Sequence, residues 1–152
     1  MDIYARLEEL GIDLPPPPPL AGIFKPVKQV GNLLYVSGQG PTSGGIPVIG
    51  GKVDAERSIE EGQQAARICV LNALGVLHKY LGDLNKIKSI IKLLVFVESS
   101  PGFNRQPEVA NGASRLLLDV FGEERGLAAR SAIGVNELPG DITVEIEFIF
   151  EV

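Results

Sequence analysis

The segment 88–98 constrains the fold of this 152-residue chain more than any other stretch of its sequence. Its content of branched and apolar residues predicts a strand, and successive side chains of a strand point to opposite faces. The apolar residues therefore divide into two sets: Ile91, Leu93, Val95 and Val97 on one face, and Ile90, Leu94 and Phe96 on the other. Apolar side chains on both faces predict that both faces of the sheet are covered.

The C-terminal segment 143–152 has a one-sided pattern instead. Apolar residues occupy every second position of this segment, and glutamates occupy three of the positions between them. The apolar set is Val144, Ile146, Phe148, Phe150 and Val152. This alternation predicts a strand whose apolar face lies under helices, with Glu145 pointing to the opposite face.

Two amphipathic helices can cover that apolar face. The first opens at Ser58, which has the spacing to Glu61 that is typical of a capping box, and it ends at Gly82. The second begins near Pro107 and ends at Gly122. Each helix carries its apolar residues on one side, as expected of helices that pack on a sheet.

The remaining segments form strands and loops. Gly31 and Asn32 suit a tight turn between strands at 24–30 and 33–37. A glycine-rich loop at 40–51 leads into a short strand near 49–53, and a further strand covers 129–136. The element order β-β-(β)-α-β-α-β-β predicts an α+β fold, a two-layer sandwich of a mixed β-sheet with two helices on one face.

Two helices leave the second face of this sheet without cover. Another copy of the same chain is the simplest cover for an apolar face. We therefore expect an oligomer whose contact surface is the helix-free face of the sheet, with Glu145 at or near the contact.

A helix at 2–11 and five consecutive prolines at 15–19 precede the first strand. The proline run predicts a stiff polyproline II segment. It can be a ligand for aromatic-grooved recognition domains, or a tether that lays the N-terminal helix against the body, and we favour the tether. The length suits one domain, 1–152, in which 1–21 form the extension and 22–152 the core.

The composition excludes several classes of partner. The formal net charge is −5 with no long Lys/Arg run, so no nucleic acid is expected as a partner. No apolar run approaches the roughly 20 residues that span a bilayer, so no membrane contact is expected. A single cysteine, Cys69, favours a cytoplasmic protein. It lies on the opposite side of its helix from the single His78, so neither a Cys–His pair nor a metal site is expected.

One residue stands out as a candidate for chemistry. Arg130 lies near the start of a strand of small and apolar residues, where an unpaired guanidinium is costly and needs an anion. The anion can be Glu145 or another acid of a neighbouring strand, which makes a structural ion pair. It can also be a substrate carboxylate, which arginine binds through two parallel hydrogen bonds. The residues alone leave both interpretations open.

Two segments have a distinctive sequence. One runs from Gly31 to Gln39 and reads Gly-Asn-Leu-Leu-Tyr-Val-Ser-Gly-Gln; the other runs from Ala129 through Leu138-Pro139 to Glu147. Together they resemble the signatures of the Rid (YjgF, reactive-intermediate deaminase) family. The N-terminal helix and proline run resemble one subgroup of that family. The resemblance implies a chorismate-mutase-like fold, a homotrimer with three inter-subunit clefts, and hydrolysis of 2-imino acids to 2-keto acids and ammonia without metal or cofactor.

The resemblance also implies roles for individual residues. Arg130 matches the arginine that grips the substrate carboxylate, and Glu145 matches the glutamate associated with the hydrolytic water. Ligand-binding positions of the cleft are matched by Phe24, Ser37, Asn111 and Ala132. Ala132 stands where the family commonly has cysteine, although its backbone carbonyl is retained. Phe24 stands where tyrosine is found in the best-known members, and its lack of a hydroxyl affects the expected rate and substrate choice.

Three further functions remain as alternatives. The same cleft can bind a small carboxylate or keto acid without turnover, as a regulatory trimer does. Some family members carry the label of ribonuclease or translation inhibitor, but the acidic charge and the absence of a basic stripe argue against RNA cleavage. A chaperone or purely structural trimer is the last alternative, and its activity would not depend on Arg130.

Overall fold

The computed structural model describes residues 1–152. A five-stranded mixed sheet forms one layer. Its strands are β1 (Val27–Val30), β2 (Leu33–Gln39), β5 (Ser89–Glu98), β6 (Ala129–Val135) and β7 (Val144–Glu151). Their order in the sheet is β1-β2-β7-β5-β6, and all neighbours are antiparallel except β5 and β6, which run parallel. The strands β3 (Thr42–Ser43) and β4 (Ile46–Pro47) form a separate small hairpin.

The second layer consists of helices on one face of the sheet. The helix α2 (Ile59–Leu81) begins with the expected capping box at Ser58 and ends at Gly82 in a left-handed conformation. The helix α3 (Gln106–Gly126) includes Pro107 in its first turn and is kinked at Gly122, where φ is 78°. The predicted end of the second helix at Gly122 is therefore a kink, because one further turn follows it. The expected α+β arrangement is confirmed.

The N-terminal extension adds a third helix, α1 (Ile3–Glu9), whose Ile3 and Leu7 are buried in the same core as α2 and α3. The proline run crosses α2 so closely that the carbonyl oxygen of Pro15 lies 2.3 Å from where a Cβ at Gly75 would be. The run thus packs on the body of the protein, as expected of a tether that lays the N-terminal helix against it.

The strand β5 departs from simple alternation. Its pairing with β7 shifts register between Ile90 and Lys92, so Ile90 is buried on the helix-covered side while Ile91 is 36% exposed. The predictions that grouped Ile91 with Leu93, and Ile90 with Leu94 and Phe96, were both wrong, because this bulge inserts one residue into the alternation. The apolar character of the other face is nevertheless evident, since Leu94 and Phe96 are half-buried on it.

The short strand expected near 49–53 does not form. Gly50 pairs only with Ile142, and Val53 makes isolated bridges with Arg57 and Ser99. Glycines at 50 and 51 disfavour a regular strand, and the local hairpin is instead β3–β4. The first strand also begins at Val27, so Phe24 lies in the loop before it.

None of the helices has both the length and the apolar character that crossing a bilayer requires.

Candidate active site

Arg130 is placed by the pairing of the edge strand β6 with β5. Its Cα partner is Leu93, which is buried under the helices. Paired residues of neighbouring strands point to the same face, so Arg130 lies on the helix-covered face, at the edge of the sheet and beside α3. Ala132, two residues further along β6 and paired with Val95, shares that face and packs against the core.

Three oxygen atoms of α3 bind the guanidinium of Arg130. Its Nη1 donates to Asn111 Oδ1 at 2.8 Å and to Ser114 Oγ at 3.0 Å. Its Nη2 donates to the carbonyl oxygen of Pro107 at 3.3 Å. The three acceptors are spaced four and three residues apart, which places them on one side of a helix. The structure therefore brings together Arg130 and Asn111, two of the residues that the sequence singled out.

No carboxylate neutralises Arg130 within the chain. The three salt bridges join Arg6 to Glu9, Arg57 to Glu61 and Arg105 to Glu108. The structural ion pair that the sequence left open, with Glu145 or another acid of a neighbouring strand, is absent. The positive charge of the half-buried guanidinium is therefore not balanced by any acid of the chain.

Glu145 lies on the opposite face of the sheet. Its Cα partner on β5 is Phe96, and its side chain packs against Gly38, where an added Cβ would lie 2.9 Å from Glu145 Cδ. The glutamate is half-buried and forms no salt bridge. Burial raises the pKa of the Glu145 carboxyl above its usual range, and the like charge of Glu147 raises it further.

Ser37 is on the same helix-free face as Glu145. Its Oγ donates to the carbonyl oxygen of Lys25 at 2.7 Å, and the residue contributes to a shallow cavity of about 330 Å³ with Tyr35, Lys92 and Glu147. Phe24 is 50% exposed in the loop next to Lys25. The loop before β1 and the end of β2 thus lie together near this face.

The six predicted site residues fall into two groups in a single chain. Arg130, Asn111 and Ala132 form one group on the helix-covered side of β6. Ser37 and Glu145 form the other group on the helix-free face, and Phe24 lies in the adjoining loop. One chain does not bring the two groups into one site.

Glu98 is a buried acid that the sequence pattern did not single out. It is fully buried at the end of β5, its Oε1 accepts a hydrogen bond from the backbone N–H of Leu138 at 2.8 Å, and its Oε2 has no partner. Burial and the neighbouring Asp141 raise the pKa of the Glu98 carboxyl. No local pattern in the sequence signals this burial, because it depends on the distant Leu138.

The contacts of Cys69 and His78 are structural. Cys69 is buried, its Sγ donates to the carbonyl oxygen of Val144 at 3.6 Å, and burial raises its pKa well above the usual range. His78 Nδ1 lies 2.8 Å from the hydroxyl of Tyr4 on α1. The structure contains no group of three His, Cys, Asp or Glu side chains placed to hold a metal ion.

Comparisons with known proteins identify the family. Residues 4–140 match the family described as "YjgF/chorismate_mutase-like, putative endoribonuclease". Protein TCP17 of Trypanosoma cruzi is 43% identical over 149 residues, which cover 98% of this chain and 93% of that protein. The chain therefore belongs to the YjgF (Rid) family.

Two solved structures share the fold over nearly the whole chain. Atu1372 of Agrobacterium tumefaciens, described as a protein of unknown function, is 43% identical with a TM-score of 0.88, covering 99% of this chain and 92% of that one. A "putative endoribonuclease" of Shewanella oneidensis MR-1 is 30% identical with a TM-score of 0.95, and each chain is covered completely. The N-terminal extension is included in both matches.

Proposed function

We propose that this protein hydrolyses reactive 2-imino acids, or their enamine tautomers, to 2-keto acids and ammonia, in clefts between the subunits of a homotrimer. The single observation that carries the proposal is the uncompensated charge of Arg130. A half-buried guanidinium with only neutral acceptors has a strong need for an anion, and a carboxylate fits its planar donor geometry.

The division of the site residues between two faces supports a cleft shared by two protomers. Glu145 and Ser37 lie on the helix-free face, where Tyr35 and Ile133 are 45% and 44% exposed and Phe96 is half-buried. In the proposed assembly, a second copy covers this face in such a way that the Glu145 group of one protomer lies near an edge strand of its neighbour. Arg130 on that strand can then complete the site.

In this mechanism each group has one role. Arg130 binds and orients the carboxylate of the substrate, and the protonated imine nitrogen makes the adjacent carbon electrophilic. The Glu145 carboxylate accepts a proton from water as the water oxygen bonds to that carbon, which gives a tetrahedral carbinolamine. Glu145 then passes that proton to nitrogen, and the C–N bond breaks as the hydroxyl group gives up its own proton to the carboxylate, which releases ammonia and leaves the keto group. Positioning and general base catalysis of this kind need no metal.

The raised pKa of Glu145 is suited to that role. A carboxyl group with its pKa moved toward neutrality is a better proton acceptor than an ordinary glutamate and can also return the proton. Burial is the first cause of the shift and the charge of Glu147 the second.

A steady-state assay tests the proposal directly. An amino-acid oxidase or dehydratase generates the imine in situ, and the loss of imine is followed with and without the protein. We expect acceleration by wild type, none by Arg130→Ala, and none by Arg130→Lys, because a point charge cannot replace the bidentate fork. Light scattering should show that Arg130→Ala keeps the oligomer. Collapse of that variant to unfolded monomer would instead indicate a structural role for the arginine.

A second candidate function is binding of a small keto acid without turnover. The observation that favours it is Phe24, which provides no hydroxyl to help hold water in the cleft. Binding of 2-ketobutyrate by calorimetry, together with imine loss no faster than in buffer, would establish this function in place of the deaminase. RNA cleavage by nuclease-free protein that persists in Arg130→Ala would support the endoribonuclease description instead.

A further inference from the structure

The nitrogen atoms of the Arg130 guanidinium differ in how many hydrogen bonds they make. A guanidinium has five N–H groups; Nη1 donates to Asn111 Oδ1 and Ser114 Oγ, and Nη2 donates to the Pro107 carbonyl oxygen. Nε has no hydrogen-bond partner in the chain, and Nη2, which lies on the same edge of the planar group as the Nε–H, makes one bond of the two that it can make.

We infer that Pro107, Asn111 and Ser114 form a neutral cradle, in which Asn111 and Ser114 are positioning residues that fix this edge of Arg130 toward an incoming carboxylate. This inference rests on the proposed function and adds to it two specificity-determining contacts. The inference also changes the role expected of Asn111. Its side chain holds Arg130 in place, and the guanidinium of Arg130 binds the carboxylate.

The cradle carries no charge, so the positive charge of Arg130 stays available to a ligand. An acidic side chain at any of the three positions would pair with Arg130 internally, as glutamates do with Arg6, Arg57 and Arg105. Amide, hydroxyl and carbonyl oxygens hold the orientation without cancelling the charge. The arginine is thereby ordered before the ligand arrives, so less side-chain entropy is lost on binding.

The cradle arises from the local geometry of α3. Pro107, Asn111 and Ser114 occupy one side of the first three turns, directly beside β6, while Val109, Ala110 and Ala113 of the same turns are buried in the core. The buried residues fix the rotation of the helix about its axis. That rotation presents the polar side to Arg130.

The first experiment uses the free protein and needs no ligand. Rotation about the Cζ–Nη bonds is measured by ¹⁵N NMR of the arginine side chains, with Arg115, an exposed α3 arginine without a salt bridge, as internal reference. We expect slow rotation for Arg130 in wild type and in Ser114→Thr, which keeps the hydroxyl. Ser114→Ala and Asn111→Ala should rotate faster. Arg130 rotation as fast as that of Arg115 in wild type overturns the inference.

The second experiment measures the affinity for 2-ketobutyrate by calorimetry. Ser114→Ala should raise Kd about tenfold, as expected for the loss of a hydrogen bond to a charged group, and Ser114→Thr should restore it. Asn111→Asp should raise Kd about a hundredfold or more, because an internal carboxylate then pairs with the arginine. Arg115→Ala, the matched control that removes a neighbouring charge, should change Kd less than about twofold.

The two experiments separate the inference from the proposed function. If wild-type Arg130 rotates slowly but 2-ketobutyrate does not bind, the proposed function fails and the cradle stands as a structural device. If 2-ketobutyrate binds and Asn111→Asp binds it as well as wild type, the site exists but the cradle does not control it. A positioning role further requires that Ser114→Ala raises KM more than it lowers kcat.

Discussion

Arg130 and Glu145 lie on opposite faces of the same sheet, Arg130 on the face that Leu93 shares and Glu145 on the face that Phe96 shares. Two residues in this arrangement cannot act on one small molecule from a single chain. They can do so only if the Arg130 face of one protomer approaches the Glu145 face of another. Assembly and activity are therefore inseparable in the proposed function.

Subunit mixing provides a test of this coupling. Arg130→Ala and Glu145→Gln are each expected to be inactive, but hetero-oligomers refolded from an equal mixture contain some clefts with both intact residues. Random assembly gives about one quarter of the clefts an intact pair, so about a quarter of wild-type activity should return. No recovery above the separate variants, in mixed oligomers verified by mass spectrometry, would show that the two residues do not share a cleft.

Glu145→Gln should lower kcat by about 10²–10⁴-fold, as expected for the loss of a general base. The basic form of the carboxyl is required, so wild-type kcat should decline as the pH falls through the raised pKa of Glu145. Glu147→Gln removes the like charge that contributes to the shift, so it should move this decline to lower pH. A pH profile that is unchanged in Glu147→Gln would show that another group controls the rate.

Much of the fold could be predicted from local sequence signals. The capping box at Ser58 and the left-handed Gly82 marked both ends of α2, because capping depends on residues only a few positions away. The bulge at Ile91 could not be predicted from neighbouring residues in the sequence, since it depends on how β5 pairs with β7. The strand expected at 49–53 was wrong for a related reason, because isolated bridges replace a ladder there.

Only part of the candidate site could be predicted from the sequence. Arg130 was identified as a charge among apolar residues, but its contacts with Asn111 and Ser114, 19 and 16 residues away, depend on how α3 is rotated against β6. Glu98 was missed because its burial is decided by the Leu138 loop, which folds over the end of β5. Tertiary contacts of this kind have no local signal in the chain.

Glu98 predicts a pH dependence of stability. Its pKa is higher in the folded chain than its usual value of 4.5, so the folded state holds the proton more tightly. The resulting stabilisation is complete below the unfolded pKa and is lost as the pH rises through the folded pKa. Glu98→Gln keeps an acceptor for Leu138 N–H and has no proton to lose. Its free energy of unfolding should therefore exceed that of wild type by a growing margin as the pH rises from 4.5 through the raised pKa of Glu98.

Glu137→Gln is the matched control for that measurement, because Glu137 is an exposed acid next to the same loop. Urea unfolding at a series of pH values gives the three stability curves. Wild type and Glu137→Gln should run parallel, and Glu98→Gln should diverge from both. Parallel curves for all three proteins would mean that Glu98 titrates in the folded state as it does in the unfolded state.

Gly75→Ala tests whether the proline run is part of the folded body. An alanine in the middle of a helix normally stabilises it by about 1 kcal/mol relative to glycine. At position 75 the added Cβ would lie 2.3 Å from the carbonyl oxygen of Pro15, so the run must shift or separate from α2. We expect net destabilisation of about 1–3 kcal/mol, the usual cost of overpacking, measured by urea unfolding. Faster proteolysis between residues 11 and 26 should accompany it. Stabilisation by this substitution would show that the run does not pack on α2 in solution, and would reopen its interpretation as a ligand for a recognition domain.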